Sequence, residues 1–316
     1  MKIAFVLDPL DSIKTYKDSS YAMMREAVSR GHTLASLQQE DLVLRDGKVL
    51  GYARDLTLTS DAKHWYRCGE RAPVALDTFD VVMMRKDPPF DMEYIYSTYL
   101  LELAERQGAR VINRPQAVRG HNEKLAIARF PQFTVPTLAT REETLIRDFL
   151  AEHGDIVVKP LDGMGGTSVF RLHRADHNIG VVIETVTHYG RRTVMAQKFI
   201  PEIAQGDKRV LVIDGEPVPF SLARIPKQGE TRGNLAAGGT GVAQPLSARD
   251  LAIAQALGPQ LKAAGLLLVG LDVIGDYLTE VNVTSPTCMR EIADQTGFNV
   301  AGMMIDALEK TTGARR

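Results

Sequence analysis

The chain has 316 residues, with 44% hydrophobic residues, 24% charged residues and a formal net charge of −1. Such a composition is typical of a globular protein that is large enough for two or three domains. The balanced charge excludes the basic surface that nucleic acid or an anionic membrane requires, so we expect neither partner. The longest apolar runs, such as residues 266–271, are far too short to span a bilayer.

Cysteine content and the N-terminus indicate a cytoplasmic protein. The sequence has two cysteines, Cys68 and Cys288, which are too few for a disulfide framework and fit a reducing compartment. The chain begins directly with a predicted strand, without the apolar segment and cleavage site of a secretory leader. We therefore expect the protein in the cytoplasm.

The first part of the chain predicts strands that alternate with helices. An apolar run at residues 3–7 predicts a strand, a helix follows Asp18, and Thr33–Leu37 predicts the next strand. This order is typical of a parallel sheet. Residues 79–84 predict another buried strand, and the charged segment 85–89 follows at its carboxyl end, where such sheets bind ligands. A solvated rim of charges has the same pattern, so both interpretations stay open.

The region between these strands and the middle of the chain is harder to interpret. Residues 39–78 give only weak strand signals, around Lys48–Leu58. A domain boundary is predicted near residues 114–121. Lys124 lies on a predicted helix at residues 122–129, a position where a lysine is ordinarily a surface residue.

A glycine-rich segment at residues 155–168 is the strongest motif. It runs between two predicted strands, and Lys159 ends the apolar part of the first one. Three glycines follow: Gly163, Gly165 and Gly166. Because glycine has no Cβ, backbone N–H groups there can turn towards an anion and approach it closely. The pattern indicates a phosphate-binding loop.

Two familiar phosphate motifs do not fit this segment. A P-loop requires a lysine directly after its last glycine, and none follows here. The dinucleotide fingerprint requires a third glycine where this chain has Ser168, and it requires a helix rather than a strand afterwards. Taken alone, the segment also fits a glycine hairpin without a ligand.

A second motif is a predicted hairpin at residues 266–290 with a turn at Gly275 and Asp276. Its candidate metal ligands are Asp272, Glu280 and Asn282. Glu280 and Asn282 share one face of their strand, and Asp272 joins that face only if the loop has an odd length, so we predict an odd-length loop. Two carboxylates and an amide oxygen suit Mg²⁺ bound together with phosphates. Solvated residues on a half-exposed hairpin are the alternative.

A long connection at residues 225–241 carries five glycines and includes Arg232 and Asn234. Such a segment is typical either of a lid that closes over phosphates or of disorder. Other chemistries find no support in the sequence. There is no Gly-x-Ser-x-Gly motif, and the seven histidines have no zinc-binding spacing.

Together these motifs resemble the ATP-grasp superfamily and, within it, the bacterial glutathione synthetases. The resemblance is carried by residues 158–166, 272 and 280–282, and by the segments 84–90, 122–124, 207–210, 223–239 and 282–287. It covers nearly the whole chain and is weakest across residues 39–78.

The resemblance implies a mixed α/β fold of three parts. These are an N-terminal α/β domain with a parallel sheet at residues 1–121, a central ATP-grasp lid subdomain at 122–200, and a C-terminal ATP-grasp domain at 201–316 with a mobile loop at 225–241. It also implies a reaction in which ATP phosphorylates γ-glutamylcysteine and glycine attacks the acyl phosphate. The products are glutathione, ADP and phosphate, and the metal is Mg²⁺ or alternatively Mn²⁺.

The resemblance further implies roles for individual residues. The nucleotide contacts are Lys124, Lys159, Gly163, Gly165, Gly166, Gln197, Lys198, Phe199, Ile200 and Asp207. The metal ligands are Asp272, Glu280 and Asn282, and the catalytic arginines are Arg209 and Arg232. The substrate-side contacts are Asp18, Ser19, Arg85, Arg224, Asn234 and Ser285.

Two other functions stay open at this point. One is an ATP-grasp ligase that joins a different amino acid to a different carboxylate, and the other is a non-catalytic ATP-binding module. The partners implied by the resemblance are the small molecules γ-glutamylcysteine and glycine, together with further copies of the chain in a homotetramer.

Overall fold

The computed structural model describes residues 1–61, 63–230, 233, 235 and 238–313. Within these ranges the chain forms three β-sheets, and each is built from one continuous stretch of sequence. We refer to them as the N-terminal, central and C-terminal sheets. Two predicted site residues, Arg232 and Asn234, lie outside the described residues.

In the described part of the chain, the N-terminal sheet has eight strands. They are β1 (Lys2–Val6), β2 (Thr33–Leu37), β3 (Leu42–Arg45), β4 (Lys48–Leu58), β5 (Tyr66–Cys68), β6 (Ala72–Ala75), β7 (Val81–Met84) and β8 (Val111–Ile112). The strand order is β3-β4-β2-β1-β7-β8, and β5 and β6 also pair with β4. Strands β2, β1, β7 and β8 run parallel, which confirms the predicted parallel sheet.

Strand β4 extends this parallel core with antiparallel partners. It pairs antiparallel with β2, β3, β5 and β6. Strand signals are weak in this region because β3, β5 and β6 are only three or four residues long and largely exposed. Such short strands have too few buried positions for a period-2 pattern to stand out.

Three helices accompany the N-terminal sheet: α1 (Ser19–Ser29), α2 (Met92–Arg106) and α3 (Pro115–Arg119). The carboxylate of Asp18 caps α1 by accepting a hydrogen bond from the backbone N–H of Tyr21 at 2.6 Å. Asp91 caps α2 in the same way, through the N–H of Tyr94 at 3.0 Å. These caps satisfy N–H groups that have no partner inside the helix.

The central sheet has the order β11-β10-β12-β9 and is antiparallel throughout. Its elements are β9 (Thr137–Thr140), α4 (Glu143–His153), β10 (Asp155–Pro160), β11 (Phe170–His173), α5 (Ile179–Val186) and β12 (Val194–Lys198). The predicted helix at residues 122–129 is a shorter 3-10 helix, Leu125–Arg129. One face of the sheet packs on α4 and α5 in a small core of its own.

The C-terminal sheet has the order β15-β14-β13-β16-β17. Its elements are β13 (Asp207–Ile213), β14 (Glu216–Ile225), β15 (Thr240–Pro245), α6 (Ala248–Ala263), β16 (Leu268–Ile274), β17 (Tyr277–Asn282), α7 (Met289–Thr296) and α8 (Val300–Thr312). A capping box of Ser247 and Asp250 opens α6.

The N-terminal and C-terminal sheets share apolar clusters. Val82 and Val111 of the first sheet belong to the same buried cluster as Val210 and Val269 of the last one. The central sheet instead has a separate core, built around Ile146, Ile156 and Ile183. None of the described helices is long and apolar enough to cross a membrane.

Candidate active site

A cleft lies against the second face of the central sheet, away from that sheet's own core. Val157 pairs with Arg171 on one side and with Gln197 on the other, so these side chains share this face. The cleft, together with the solvent space at its mouth, has a volume of about 930 Å³ and also contacts β16 and β17. All ten predicted nucleotide contacts line it: Lys124, Lys159, Gly163, Gly165, Gly166, Gln197, Lys198, Phe199, Ile200 and Asp207. We refer to it as the first cleft.

The glycine segment forms the connection between β10 and β11, as the sequence predicted. Gly165 and Gly166 have φ values of 64° and 80°, which side chains other than glycine rarely adopt. The carbonyl oxygen of Gly163 accepts a hydrogen bond from Lys124 Nζ at 2.7 Å. The contact ties the loop to the segment before Leu125, so the loop and the lysine are positioned together.

Two buried lysines meet Glu280 at the floor of the first cleft. Lys159 Nζ lies 3.3 Å and Lys124 Nζ 3.6 Å from Glu280 Oε1. Burial alone would raise the pKa of Glu280, but these two ammonium groups hold the pKa below its ordinary value. Lys124 also pairs with Glu123. Burial and the charge of Glu280 raise the pKa of Glu123 to about 7.

The acidic hairpin brings Asp272 directly opposite Glu280, and Gly270 opposite Asn282. The loop has two residues, Gly275 and Asp276, because Ile274 pairs with Tyr277. The predicted odd-length loop is therefore wrong. A β-bulge restores the shared face. Val273 pairs with Leu278 and the adjacent Asp272 pairs with Glu280. Thr279 is therefore an extra residue on β17, between Leu278 and Glu280.

Asp272 is buried between two arginines. Arg209 Nε donates to Asp272 Oδ1 at 2.5 Å, and Arg224 Nη2 lies 2.9 Å from Asp272 Oδ2. Burial would raise the pKa of Asp272, but the two guanidinium groups hold it well below its usual range. Arg224 also pairs with Asp207 at 2.5 Å. Burial raises the pKa of Asp207 to about 7 despite this arginine, and Asp207 Oδ1 has no partner among the described residues.

A second cleft opens between the N-terminal and C-terminal sheets. It shares Gly165 and Glu280 with the first cleft, so the two meet at the acidic hairpin. Of the predicted site residues, those that line it are Asp18, Arg85, Gly165, Arg209, Arg224, Asp272, Glu280, Asn282 and Ser285. Ser19 is fully buried, and its hydroxyl accepts a hydrogen bond from the N–H of Met289 at 3.2 Å. Its neighbour Ser20 lines the cleft instead.

Arg85 is a third buried arginine of the second cleft, beside Arg209 and Arg224. Its Nε donates to Ser20 Oγ at 3.0 Å, and its Nη2 donates to the carbonyl oxygen of Pro286 at 2.9 Å. Its Nη1 has no partner among the described residues. A buried guanidinium with an unused donor is costly unless a ligand accepts that hydrogen bond.

Sequence reasoning missed several residues of the second cleft. They include Ser20, Asp87, Glu123, Cys288 and Glu291. Signals existed for three of them. Asp87 lies in the charged segment 85–89 and accepts a hydrogen bond from Ser285, Glu123 lies in the segment 122–124 that carries the resemblance, and Ser20 follows the predicted contacts Asp18 and Ser19. Cys288 and Glu291 are brought to the cleft only by the approach of distant segments. In the described ranges, no group of three or more histidine, cysteine, aspartate and glutamate side chains is arranged to hold a metal ion.

Comparisons with known proteins identify the family. A family model described as "Prokaryotic glutathione synthetase, ATP-grasp domain" matches residues 123–297, and one described as "Prokaryotic glutathione synthetase, N-terminal domain" matches residues 1–119. The chain belongs to the prokaryotic glutathione synthetase family. The predicted family is thereby confirmed, as is the prediction of an ATP-dependent ligase.

Relatives within this family are similar along their full length. The glutathione synthetase of Nitrosomonas europaea is 67% identical over 98% of both chains. That of Ralstonia nicotianae is 62% identical over 99% of this chain and 97% of its own. Membership in this family implies the use of ATP with a divalent metal, and small-molecule substrates.

Solved structures support the fold. D-cycloserine synthetase DcsG has a TM-score of 0.69 at 17% identity and covers 99% of this chain and 100% of its own. D-alanyl-alanine synthetase A from Vibrio cholerae has a TM-score of 0.61 at 13% identity and covers 99% of both chains. With the ATP-grasp family model, these neighbours confirm the predicted mixed α/β ATP-grasp fold.

Proposed function

We propose that this chain joins γ-glutamylcysteine and glycine into glutathione through an acyl phosphate. The observation that carries the proposal is the meeting of the two clefts at Gly165 and Glu280. A phosphate donor in the first cleft and a carboxylate in the second then react without leaving the protein. A carboxylate is a poor acyl donor in water, so making an amide requires a better leaving group first.

The first cleft is proposed to hold ATP. Lys124, Lys159 and the N–H groups of the glycine loop neutralise the phosphates. The adenine contacts one segment of the cleft, which consists of Gln197, Lys198, Phe199 and Ile200. Asp207 accepts a hydrogen bond from a ribose hydroxyl, which supplies the partner that its Oδ1 lacks among the described residues. Phosphates then lie at the end of the cleft where the two lysines meet Glu280.

Asp272, Glu280 and Asn282 are proposed to hold Mg²⁺, or Mn²⁺ in its place. The residues fit such an ion because they are hard oxygen ligands on one face of the hairpin. Burial and neighbouring carboxylates also raise the pKa values of Glu123 and Asp207 beside these ligands. When bound, a divalent cation supplies charge neutralisation for the phosphates.

Phosphoryl transfer in this site depends on positioning rather than on a protein nucleophile. The carboxylate oxygen of γ-glutamylcysteine attacks the γ-phosphorus, and the bond to ADP breaks. The nitrogen of glycine then attacks the acyl carbon, phosphate leaves, and the amine loses a proton. Arg209 faces the transferred group from the second cleft, and Arg232 is proposed from the sequence for the same role.

Substrate contacts are proposed for the second cleft. The free Nη1 of Arg85 donates to a substrate carboxylate, and Arg224 adds positive charge nearby. Asp18 and Ser285 are further candidates. Ser20 replaces Ser19, because the Ser19 hydroxyl already accepts a hydrogen bond from the backbone. Asn234 stays a prediction from the sequence.

The domain arrangement is also a proposal. Three domains at residues 1–121, 122–200 and 201–316 are supported by the three successive sheets and by the separate core of the central one. A central domain with its own core can move as a lid over ATP. The mobile loop at 225–241, the homotetramer and the cytoplasmic location rest on the sequence and on the resemblance.

Release of phosphate and ADP tests the function directly. The complete mixture of chain, ATP, Mg²⁺, γ-glutamylcysteine and glycine should release both products, and should form glutathione in equal amount. Omission of either γ-glutamylcysteine or glycine should abolish glutathione formation. Turnover that is faster with D-alanine or glutamate in place of glycine would establish a different ligase of the same fold. Absence of ADP release with every acceptor would instead support a non-catalytic ATP-binding module.

A further inference from the structure

The glycine segment between β10 and β11 is fastened at its base. Asn122 Nδ2 donates a hydrogen bond to the carbonyl oxygen of Leu161 at 3.0 Å, and Lys124 Nζ donates to that of Gly163 at 2.7 Å. Gly163 is also closely packed, because a Cβ at this position would lie 3.0 Å from Cγ of Pro160. The later part of the segment, with the proposed phosphate-binding N–H groups, therefore starts from a fixed base.

Asp162 lies between these two contacts and has a partner of its own. Its carboxylate forms an ion pair with the guanidinium of Arg192. The sheet explains why these two residues meet. Strands β10 and β12 are antiparallel, and their last paired residues at this end are Pro160 and Val194. When the same register is continued by two residues, Asp162 lies opposite Arg192 as a cross-strand pair of opposite charge.

Arg192 is itself positioned by a tight turn at the carboxyl end of α5. The backbone N–H of Arg192 donates to the carbonyl oxygen of Thr187 at 2.7 Å, and the N–H of Gly190 donates to Thr187 Oγ1 at 3.1 Å. Within the turn, His188 and Tyr189 have φ values of 49° and 56°. Residues with a Cβ adopt this region only where the surrounding structure enforces it, and such positions cluster near functional sites.

We propose that Arg192 is a positioning residue for ATP, and that it acts through Asp162 on the glycine segment. Neither residue lines the first or the second cleft, so the pair acts from outside the proposed nucleotide site. The inference rests on the proposed binding of the ATP phosphates by the N–H groups of the glycine segment. The ion pair keeps the base of that segment in register with β12, and the direction of those N–H groups depends on this base.

Arg192 also acts through its charge. Asp162 directly precedes the first glycine of the segment, and an unneutralised carboxylate there would repel the phosphates of ATP. The lysines of the first cleft are already committed to another carboxylate, because Lys124 and Lys159 both lie close to Glu280. Loss of Arg192 alone should therefore weaken ATP binding more than loss of both charges of the pair.

The first test measures ATP binding in the absence of the other substrates. Isothermal titration calorimetry with Mg²⁺ gives the dissociation constant of ATP for wild type and for Arg192→Ala. We expect this constant to rise about fivefold, the upper range for loss of one exposed ion pair. Arg191→Ala is the matched control, because Arg191 is the adjacent and more exposed arginine, and it should bind ATP like wild type. Circular dichroism melts establish that both variants are folded.

A second measurement separates an effect on the phosphates from general damage to the first cleft. Adenosine has the base and the ribose of ATP but no phosphates. Its dissociation constant for Arg192→Ala, measured by competition with ATP, should therefore stay near the wild-type value. A loss for adenosine as large as that for ATP would place the damage at the adenine end of the cleft and would overturn the proposal.

A double-mutant cycle tests whether Arg192 acts through Asp162. Asp162→Asn alone should weaken ATP binding less than Arg192→Ala, because it leaves no unneutralised carboxylate beside the segment. In the Asp162→Asn background, Arg192→Ala should then cause little further loss. An equal loss in both backgrounds would show that Arg192 acts independently of Asp162. That result would overturn the proposal, as would ATP binding by Arg192→Ala that equals the wild-type value.

Failure of this inference is distinguishable from failure of the proposed reaction. ATP binding is measured with the chain, Mg²⁺ and nucleotide alone, so its result does not depend on glutathione formation. Normal ATP binding by Arg192→Ala, in a chain that makes glutathione, would overturn only the role of Arg192. A chain that loses ATP affinity in Arg192→Ala as expected, but makes no glutathione as wild type, would support the role of Arg192 and overturn only the proposed reaction.

Discussion

Asp272 lies directly opposite Glu280 on neighbouring strands, although the turn between them has only two residues. In a regular hairpin of this kind the two side chains would point to opposite faces, because each step along a strand reverses the side. The extra residue Thr279 corrects the register, and its hydroxyl donates to the carbonyl oxygen of Asp272 at 3.1 Å. The bulge therefore assembles the proposed metal ligands.

Asp272→Asn should impair stability as well as turnover. Asp272 neutralises Arg209 and Arg224, and removing its charge leaves two buried guanidinium groups close together. Breaking a buried ion pair on one side typically costs about 3 kcal/mol or more. Urea unfolding at pH 7 should show a loss of that size in the free energy of unfolding.

The pH dependence of this effect has a defined sign. The pKa of Asp272 is depressed in the folded protein, so its charge stabilises the fold above the unfolded pKa and ceases to do so as the pH falls below it. The difference between wild type and Asp272→Asn should therefore shrink in acid. Asp155→Asn is the control, since its pair with Arg171 is exposed and is worth less than about 1 kcal/mol. Equal losses in both variants would contradict the buried network.

Arg85→Lys should weaken substrate binding, because lysine has no group in place of the free Nη1 that is proposed to bind the substrate carboxylate. The KM for γ-glutamylcysteine should rise on the order of tenfold to a hundredfold, as expected for a lost charge-assisted hydrogen bond. The KM for ATP should stay near the wild-type value, because Arg85 lines only the second cleft. Arg45→Lys, at an exposed position, is the control. An unchanged KM for γ-glutamylcysteine would remove Arg85 from the substrate site.

Asp207→Asn should weaken ATP binding and alter the pH dependence of stability. Burial raises the pKa of Asp207 to about 7, so the folded protein holds a proton that the unfolded chain releases near pH 4. The carboxyl of Asp207 therefore makes wild type less stable as the pH rises from about 4 to about 7. As the pH rises through that window, the unfolding free energy of wild type should therefore fall relative to that of the variant. Parallel plots of unfolding free energy against pH for the two proteins would show that Asp207 has an ordinary pKa.

Cys288 should be dispensable for chemistry although it lines the second cleft. Burial raises the pKa of its thiol, and the acyl-phosphate route needs no covalent thiol. Cys288→Ala and Cys288→Ser should keep most of the activity. At pH 8 a thiol reagent should label the exposed Cys68 rather than Cys288. Rapid labelling of Cys288 with loss of turnover would assign it a catalytic role.

The sequence by itself determined the motifs that depend on neighbouring residues. The glycine loop with Lys159 and the alternation of strands and helices in the first part of the chain follow from local rules of backbone conformation and periodicity. The resemblance then supplied the family, because long motifs of this kind span nearly the whole chain. The ten predicted nucleotide contacts also line a single cleft.

Only the tertiary structure decided features that join distant segments or shift a register. The bulge at Thr279 places Asp272 and Glu280 on the same face of the hairpin. No local sequence signal marks this bulge, since threonine is an ordinary strand former. The pairing of Arg209 and Arg224 with Asp272, and the unused donor of Arg85, arise where strands far apart in sequence are packed side by side. Burial and charge at such a site are sums over many distant neighbours, and a sequence pattern records only near ones.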